Sequence, residues 1–182
     1  MHRCQWVTND PLYQAYHDTE WGIPIYEEKN LFELLVLEGF QAGLSWLTIL
    51  KKRDDFRSTF ENFDFKVLAN WSDDQLECAL QNPKIVKNRL KVFSVRSNAI
   101  AFLKIQEKFG SFEKYIWEFV NFKPIKNNFK TIQELPTQTE LSVKISKSLK
   151  KNGFKFVGPT IVYSFMQAAG LVNDHTQNCE LY

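Results

Sequence analysis

Metal-binding residue types lie close together near the C-terminus of this sequence. His175 and Cys179 are four residues apart in a chain that has only three His and three Cys. A helical turn would place both on one face, and Cys4 and His17 could complete the two-Cys, two-His set that zinc prefers. Four protein ligands leave no coordination position for water, so this site would be structural and would join the chain termini. The alternatives are a buried cysteine with unrelated surface histidines, or a set that includes His2.

An acidic residue falls on an apolar helical stripe. Glu38 lies on the same face of a predicted helix as three leucines, namely Leu31, Leu34 and Leu35. A carboxylate buried there is costly unless it is paired, so its pKa should rise or it should have a donor or cationic partner. Glu38 is therefore a candidate functional residue. Alternatively, it accepts hydrogen bonds from backbone amides at the start of the next helix.

Aromatic residues accumulate around this acid along the sequence. Tyr13 and Tyr16 are three residues apart on the first predicted helix, Trp21 ends that helix, and Trp46 follows the turn "QAGLS". Such stripes are more often core than binding site. Beside a buried acid, however, Trp and Tyr would suit a flat, donor-bearing or cationic ligand, and an extruded nucleobase is such a ligand.

The stretch "SLKKNGFKFVGPTIVYSFMQAAG" reads as a helix that stops at Gly153, a short apolar hairpin and a helix that begins with Gly158, Pro159 and Thr160. Free amides at that helix start form an anion site, and Lys155 with other lysines adjoins it. This pattern indicates a helix-hairpin-helix element that holds a DNA phosphate without reading sequence. A plain αα-hairpin is the alternative.

Charge is distributed unevenly along the chain. The net charge of +2 combines −5 for residues 1–50 with +7 for the remainder, and residues 78–106 contain no acid. A second basic run covers residues 144–155. These runs indicate either solvated helix faces or a polyanion-binding surface on part of the protein.

Helical periodicity dominates the chain, so we predict an all-α fold. Residues 1–182 are expected to form a single domain, with two small helical lobes, one carrying the hairpin at about 140–169, as the alternative. Residues 121–139 should be a surface connection, and no convincing alternating strand pair is present. The periodicity predicts helices at 11–21, 27–40, 44–60, 73–81, 84–109, 111–121, 140–151 and 159–169.

Composition argues against membrane and secreted classes of protein. No apolar run approaches the roughly 18 residues needed to span a bilayer, and the N-terminus lacks the apolar core of a signal peptide. Three scattered cysteines argue against a disulfide framework. We therefore expect a cytoplasmic protein, with no membrane contact and no protein partner implied.

Three long blocks resemble those of the bacterial 3-methyladenine DNA glycosylase I family, within the helix-hairpin-helix glycosylase superfamily. The resemblance runs from Cys4 to Cys179 without an obvious large gap. The blocks are "CQWVTNDPLYQAYHDTEWGIP", "LFELLVLEGFQAGLSWLTILKKR" and "GFKFVGPTIVYSFMQAAGLVNDH".

The resemblance implies an all-α fold with one structural zinc per chain, and it assigns roles to particular residues. It implies a monomer that acts on double-stranded alkylated DNA. Catalysis would involve Glu38, and Asp174, beside His175, would support the metal site rather than the reaction. The implied zinc ligands are Cys4, His17, His175 and Cys179, the base-pocket residues Tyr16, Trp46, Tyr13 and Trp21, and the DNA-binding residues Gly153, Lys155, Gly158, Thr160, Gln41, Gly43 and Leu44.

The implied reaction is hydrolysis of the N-glycosidic bond of N3-methyladenine in DNA. No lysine lies within residues 159–169, so the amine nucleophile of a lyase step is absent from that element, and we expect a monofunctional enzyme that leaves an abasic site. Three other functions stay open: a non-catalytic DNA-binding protein, a zinc hydrolase for small molecules, and a glycosylase for another damaged base.

Overall fold

The computed structural model of the protein describes residues 2–182, and these residues are mostly helical. No helix among them is long and apolar enough to cross a membrane. The described residues form ten α-helices: α1 Pro11–Thr19, α2 Glu28–Gln41, α3 Trp46–Lys51, α4 Arg53–Thr59, α5 Phe65–Leu68, α6 Asp73–Gln81, α7 Arg89–Phe109, α8 Phe112–Trp117, α9 Glu140–Lys151 and α10 Pro159–Ala168. Short 3-10 turns cover Glu61–Phe63, Glu118–Val120 and Ile132–Glu134.

The prediction of a mostly helical chain is confirmed, with differences at particular boundaries. The single helix predicted at 44–60 is wrong, because the chain leaves helical geometry at Lys52 and forms α3 and α4. The helix predicted from residue 84 begins instead at Arg89, where the Asn88 side chain accepts a hydrogen bond from the Lys91 amide at 3.1 Å. Favourable capping therefore fixes this boundary better than periodicity does.

The structure also contains two short strands, which the sequence did not predict. β1 (Ile125–Lys126) pairs in parallel with β2 (Val172–Asn173), with Ile125 opposite Val172. Two-residue strands carry too little alternation to be recognised from sequence. Their pairing attaches the connection at 121–139 to the C-terminal segment.

Helix α2 is the central element of the fold. Its residues from Leu34 to Phe40 are all buried, and it packs against α3, α7, α8 and α10. A close contact fixes α2 against the turn after α9, because a Cβ at Gly39 would lie 3.2 Å from the Cβ of Phe156. Glycine at position 39 thus brings α2 and that turn together.

Helices α9 and α10 pack against each other and are joined by the turn at residues 152–158. Gly153 has a φ of +96°, a conformation that glycine adopts without steric cost. Asn98 on α7 holds the turn from outside: its Oδ1 accepts from the Lys155 amide at 2.8 Å and its Nδ2 donates to the Lys155 carbonyl at 3.2 Å. The packed helices α9 and α10 therefore fix the two ends of the turn, and Asn98 fixes its middle.

Candidate functional site

A cavity of about 150 Å³ opens beside α2, and we call it the Glu38 cavity. Glu38 and the four residues that the sequence predicted for a base pocket all line it. Its walls come from α1, α2, α3, α10 and three segments outside the α-helices, so no single stretch of sequence forms it. The lining residues are Trp6, Tyr13, Tyr16, Trp21, Glu38, Gln41, Trp46, Leu135, Ser164 and Gln167.

Glu38 carries a buried carboxyl group that forms no ion pair with any of residues 2–182. Its side chain is 2% exposed, and within residues 2–182 no group forms a hydrogen bond with Oε2. Burial raises its pKa well above the ordinary value for glutamate. The alternative of a helix cap is wrong, because the Thr48 amide at the start of α3 donates to Ser45 Oγ at 3.2 Å. Glu38 is therefore free to bind a ligand in the cavity.

Aromatic rings form most of the cavity wall. The rings of Tyr16 and Trp46 lie 5.6 Å apart between centroids, and Trp6 lies 5.0 Å from both Tyr13 and Trp21. The indole N–H groups of Trp6 and Trp46 are buried and have no hydrogen-bond partner in the described part of the chain. Buried donors and an acceptor without partners, on otherwise aromatic walls, suit a flat polar ligand.

Several wall residues were missed by the sequence interpretation. Trp6 lies ahead of the first helix, and Leu135 lies in the connection that was predicted only as a surface segment. Ser164 and Gln167 lie on α10, three residues apart and so on one face, which is a signal that the sequence did contain. Leu135 has no comparable signal, because it lies in an irregular connection outside the α-helices and strands.

The turn from Gln41 to Leu44 follows α2 at the edge of the cavity. The Leu44 amide donates to the Gln41 carbonyl at 2.6 Å, Gly43 has a φ of +83°, and the Leu44 side chain is 42% exposed. Lys91 on α7 fixes this turn, because its buried ammonium donates to the carbonyls of Phe40 at 2.9 Å and Ala42 at 2.7 Å. Burial lowers the pKa of Lys91. The sequence interpretation had placed Lys91 in a basic surface run, and that assignment is wrong.

The four predicted metal ligands lie close together, and one of them, His17, is on α1, the helix that also lines the cavity. All four are buried, and their ligand atoms lie within 4.8 Å of one another. Cys179 Sγ is 3.5 Å from His17 Nε2 and 3.4 Å from His175 Nδ1, and Cys4 Sγ is 3.6 Å from His175 Nδ1. This donor set and spacing fit a tetrahedral metal ion.

The imidazole rings of this cluster are oriented by their other nitrogen atoms. His17 Nδ1 lies 2.8 Å from Asp18 Oδ1, and Asp18 in turn accepts two hydrogen bonds from Arg3 Nε and a third from Nη2. His175 Nε2 lies 3.2 Å from the Trp21 carbonyl oxygen. Such partners are typical of metal-binding histidines. Trp21 thus contacts both the cluster and the cavity.

Burial sets the protonation of the cluster residues. It lowers the pKa of His175 to about 4, so the ring is neutral and Nδ1 can bind a metal. It raises the pKa of the Cys4 thiol to about 11, and a bound cation would reverse that effect by favouring the thiolate. The Arg3 guanidinium holds the pKa of Asp18 at about 2, so this carboxylate stays charged beside His17.

Asp174 does not support the metal ligands, which corrects the sequence interpretation. Its carboxylate is fully buried and accepts hydrogen bonds from Tyr163 Oη at 2.5 Å, Gln167 Nε2 at 2.8 Å and Asn127 Nδ2 at 2.6 Å. None of these donors belongs to the Cys/His cluster. Although Asp174 precedes His175 in sequence, its side chain is directed toward α10.

The predicted DNA-binding residues lie in two turns and at the helix ends that adjoin them. Gly153, Lys155 and Thr160 are exposed, while Gly158 is half-buried, and no side chain of residues 2–182 caps the start of α10. The basic run in residues 78–106 is not a uniform surface, because Arg89 pairs with Glu77, Arg96 with Asp73 and Lys84 with Asp55.

Comparison with known proteins is consistent along the whole chain. The family model described as methyladenine glycosylase matches residues 6–182. The DNA-3-methyladenine glycosylase 1 of Escherichia coli (strain K12) is 48% identical over 182 residues, which cover 100% of this chain and 97% of that protein.

Solved structures show the same agreement. A crystal structure of 3-methyladenine DNA glycosylase I is 47% identical, with a TM-score of 0.97 and complete coverage of both chains. A structure of the Staphylococcus aureus enzyme, described as showing the basis of 3-methyladenine recognition, is 40% identical with a TM-score of 0.96. The match covers 99% of this chain and 96% of that one.

Proposed function

Since this chain belongs to the methyladenine glycosylase family, we propose that it hydrolyses the N-glycosidic bond of 3-methyladenine in alkylated duplex DNA. The observation that carries this proposal is the buried Glu38 carboxyl group, whose Oε2 has no partner within residues 2–182 and which lies in an aromatic cavity of about 150 Å³. A flat base with hydrogen-bond donors, extruded from the duplex, fits such a site.

The charge of the damaged base explains why a single acid is sufficient. Methylation at N3 leaves the base cationic, so it is already a good leaving group and needs little chemical activation. Burial raises the pKa of Glu38, and a cation in the cavity lowers it again and favours the carboxylate. Glu38 would then accept hydrogen bonds from the amino edge of the base. Normal adenine lacks the positive charge and gains less from this interaction.

The aromatic residues hold the base between them. Tyr16 and Trp46 would stack on or cradle it, and Tyr13 and Trp21 would close the sides of the pocket. The site must find, extrude and retain the base without stabilising its charge so strongly that cleavage slows. This requirement favours aromatic faces, which attract a cation more weakly than a second carboxylate would.

The α9–α10 turn is proposed to hold the DNA backbone as a helix-hairpin-helix element. The exposed turn, with Gly153, Gly158 and Thr160, would offer backbone amides to a phosphate, and Lys155 would add a positive charge. The second turn, with Gln41, Gly43 and the exposed Leu44, would enter the gap that the flipped nucleotide leaves. Both turns belong to one domain that acts as a monomer.

The Cys/His cluster is proposed to bind one structural zinc ion through Cys4, His17, His175 and Cys179. With four protein ligands, the zinc would link the N-terminal and C-terminal segments and supply no reagent to the reaction. Its contribution to function would be to hold α1, which carries Tyr16, beside the cavity.

The enzyme should be monofunctional. Helix α10, the element where some related glycosylases carry an amine nucleophile, contains no lysine. Water would therefore complete the reaction and leave an abasic site with intact strands.

The experiment is to incubate methylated duplex DNA with the protein, identify the released base by chromatography, and analyse the DNA before and after mild alkali. We expect free 3-methyladenine and strand breaks that appear only after alkali. Release of another damaged base without 3-methyladenine would instead support a glycosylase of different specificity. No released base at all would favour a non-catalytic DNA-binding protein.

A further inference from the structure

We propose that Gln167 accepts a hydrogen bond from the amino group of the damaged base and that Asp174 is the positioning residue that orients it. This inference rests on the proposed function and names a recognition contact within the same cavity. Three observations support it. Asp174 accepts hydrogen bonds on both carboxylate oxygens, the Gln167 Nε2 amide faces Asp174, and the Gln167 backbone carbonyl is hydrogen-bonded to the Gly22 amide.

The hydrogen bond between Gln167 and Asp174 fixes the orientation of the amide. Asp174 accepts two other hydrogen bonds, from Tyr163 Oη and Asn127 Nδ2, so its carboxylate acts as an acceptor on both oxygens. Tyr163 Oη and Asn127 Nδ2 donate to one carboxylate oxygen each, and the group that faces Oδ2 at 2.8 Å is the Gln167 Nε2 amide. The amide oxygen Oε1 is consequently directed away from Asp174.

That oxygen has no hydrogen-bond partner among residues 2–182. Gln167 lines the Glu38 cavity and is half-buried, and within residues 2–182 its Oε1 accepts no hydrogen bond. Its backbone is also fixed, since the Gln167 carbonyl accepts from the Gly22 amide at 3.1 Å, next to Trp21. A preoriented acceptor in an aromatic cavity is suited to a donor on the ligand.

The amino group of an adenine carries two N–H donors. Glu38 can accept one of them and Gln167 Oε1 the other, since both residues line one cavity of about 150 Å³. A base with an oxygen in place of the amino group would present an acceptor to both residues. Gln167 would therefore discriminate between amino and oxo purines, and without Asp174 the amide could turn and present Nε2 instead.

The test measures binding of two free bases, 3-methyladenine and its 6-oxo counterpart 3-methylhypoxanthine, by quenching of tryptophan fluorescence. We expect the wild type to prefer 3-methyladenine, and Gln167→Met to reduce that preference about 3- to 10-fold, the loss expected for one hydrogen bond. Asp174→Asn should reduce it similarly. The matched control is Gln81→Met, which changes an exposed glutamine at the end of α6 and should leave the preference unchanged.

A double variant separates positioning from general damage to the fold. In Asp174→Asn with Gln167→Glu, the new asparagine amide can donate to one carboxylate oxygen, and the other oxygen faces the base as an acceptor. Recovery of the preference for 3-methyladenine would support the orienting role of Asp174, whereas a purely structural role predicts no recovery. If Asp174→Asn does not fold, Gln167→Met alone decides whether Gln167 is the acceptor, and the double variant decides the role of Asp174.

Two failures remain distinguishable. Release of 3-methyladenine from methylated DNA by the wild type is measured first, and its absence overturns the proposed function and this inference together. If release is intact but Gln167→Met keeps the wild-type preference between the two bases, only this inference is overturned.

Discussion

Tyr16 and His17 are adjacent on α1, and their side chains enter different sites. Tyr16 lines the Glu38 cavity and packs against Trp46, with ring centroids 5.6 Å apart, whereas His17 places Nε2 3.5 Å from Cys179 Sγ in the Cys/His cluster. One short helix therefore forms a wall of the cavity with one residue and a link to the C-terminal segment with the next. Displacement of α1 would affect both sites together.

Glu38→Gln should stabilise the protein, and the effect should depend on pH. Burial raises the folded-state pKa of Glu38 above the ordinary value of 4.5, so the stability it contributes below that pH is lost as the pH rises through the raised pKa. Glutamine does not titrate. Relative to wild type, the variant should gain about 1–3 kcal/mol between pH 4.5 and pH 8, or roughly 2–4 °C of unfolding temperature per kcal/mol.

Thermal unfolding at both pH values measures this difference. Glu107→Gln is the matched control, because Glu107 is an exposed glutamate on α7 and its replacement should not change the pH dependence. A Glu38→Gln protein that is less stable than wild type at pH 8 would contradict the unpaired, buried state of this carboxyl group.

Removal of metal should destabilise the protein. Elemental analysis should find about one zinc per chain, and a chelator should lower stability by about 4 kcal/mol, the value for an ion present at 1,000 times its Kd. Cys179→Ser should reproduce most of this loss. Cys78→Ser should not, because that thiol is exposed and outside the cluster. Full zinc content in the Cys179→Ser protein would refute the proposed ligand set.

Lys91→Met should impair the turn at the edge of the cavity. The change removes the ammonium that donates to the Phe40 and Ala42 carbonyls, at a cost of about 1–3 kcal/mol. Because the turn from Gln41 to Leu44 depends on them, base release should slow as well. Lys87→Met, at an exposed position, is the control, and equal activities of the two variants would count against a role for Lys91.

Lys155→Ala should weaken DNA binding in a way that depends on salt. If this exposed lysine neutralises one phosphate, the slope of log affinity against log salt should fall by about 0.9. Lys66→Ala, on the exposed face of α5, should leave the slope unchanged. Titration of both variants with duplex DNA at several salt concentrations makes the comparison, and an unchanged slope for Lys155→Ala would remove this residue from the DNA interface.

Much of the site could be predicted from sequence because residue type and spacing carry the information. The four Cys and His residues are scarce types, and a helical turn already brings His175 near Cys179. Glu38 was recognisable because an acid on an apolar stripe conflicts with burial. These signals are local, and they depend only weakly on how distant segments pack.

Other features depend on long-range contacts, which a single sequence does not encode in a readable form. Leu135 lines the cavity although it lies in an irregular connection, and Lys91 is buried although it lies in a basic run. The partner of Asp174 was misassigned because adjacency to His175 in sequence suggested proximity of their side chains. The backbone after β2 instead directs the Asp174 side chain toward Tyr163 and Gln167 on α10.

The most direct measurement is the single-turnover rate at which 3-methyladenine leaves methylated duplex DNA, compared between wild type and Glu38→Gln. We expect the wild type to release the base and Glu38→Gln to be slower by roughly 10- to 150-fold, which corresponds to about 1.5–3 kcal/mol for hydrogen bonds to a charged group. Glu107→Gln should match the wild type. No release by the wild type, or equal rates for the Glu38→Gln and Glu107→Gln proteins, would contradict the proposed function of the Glu38 cavity.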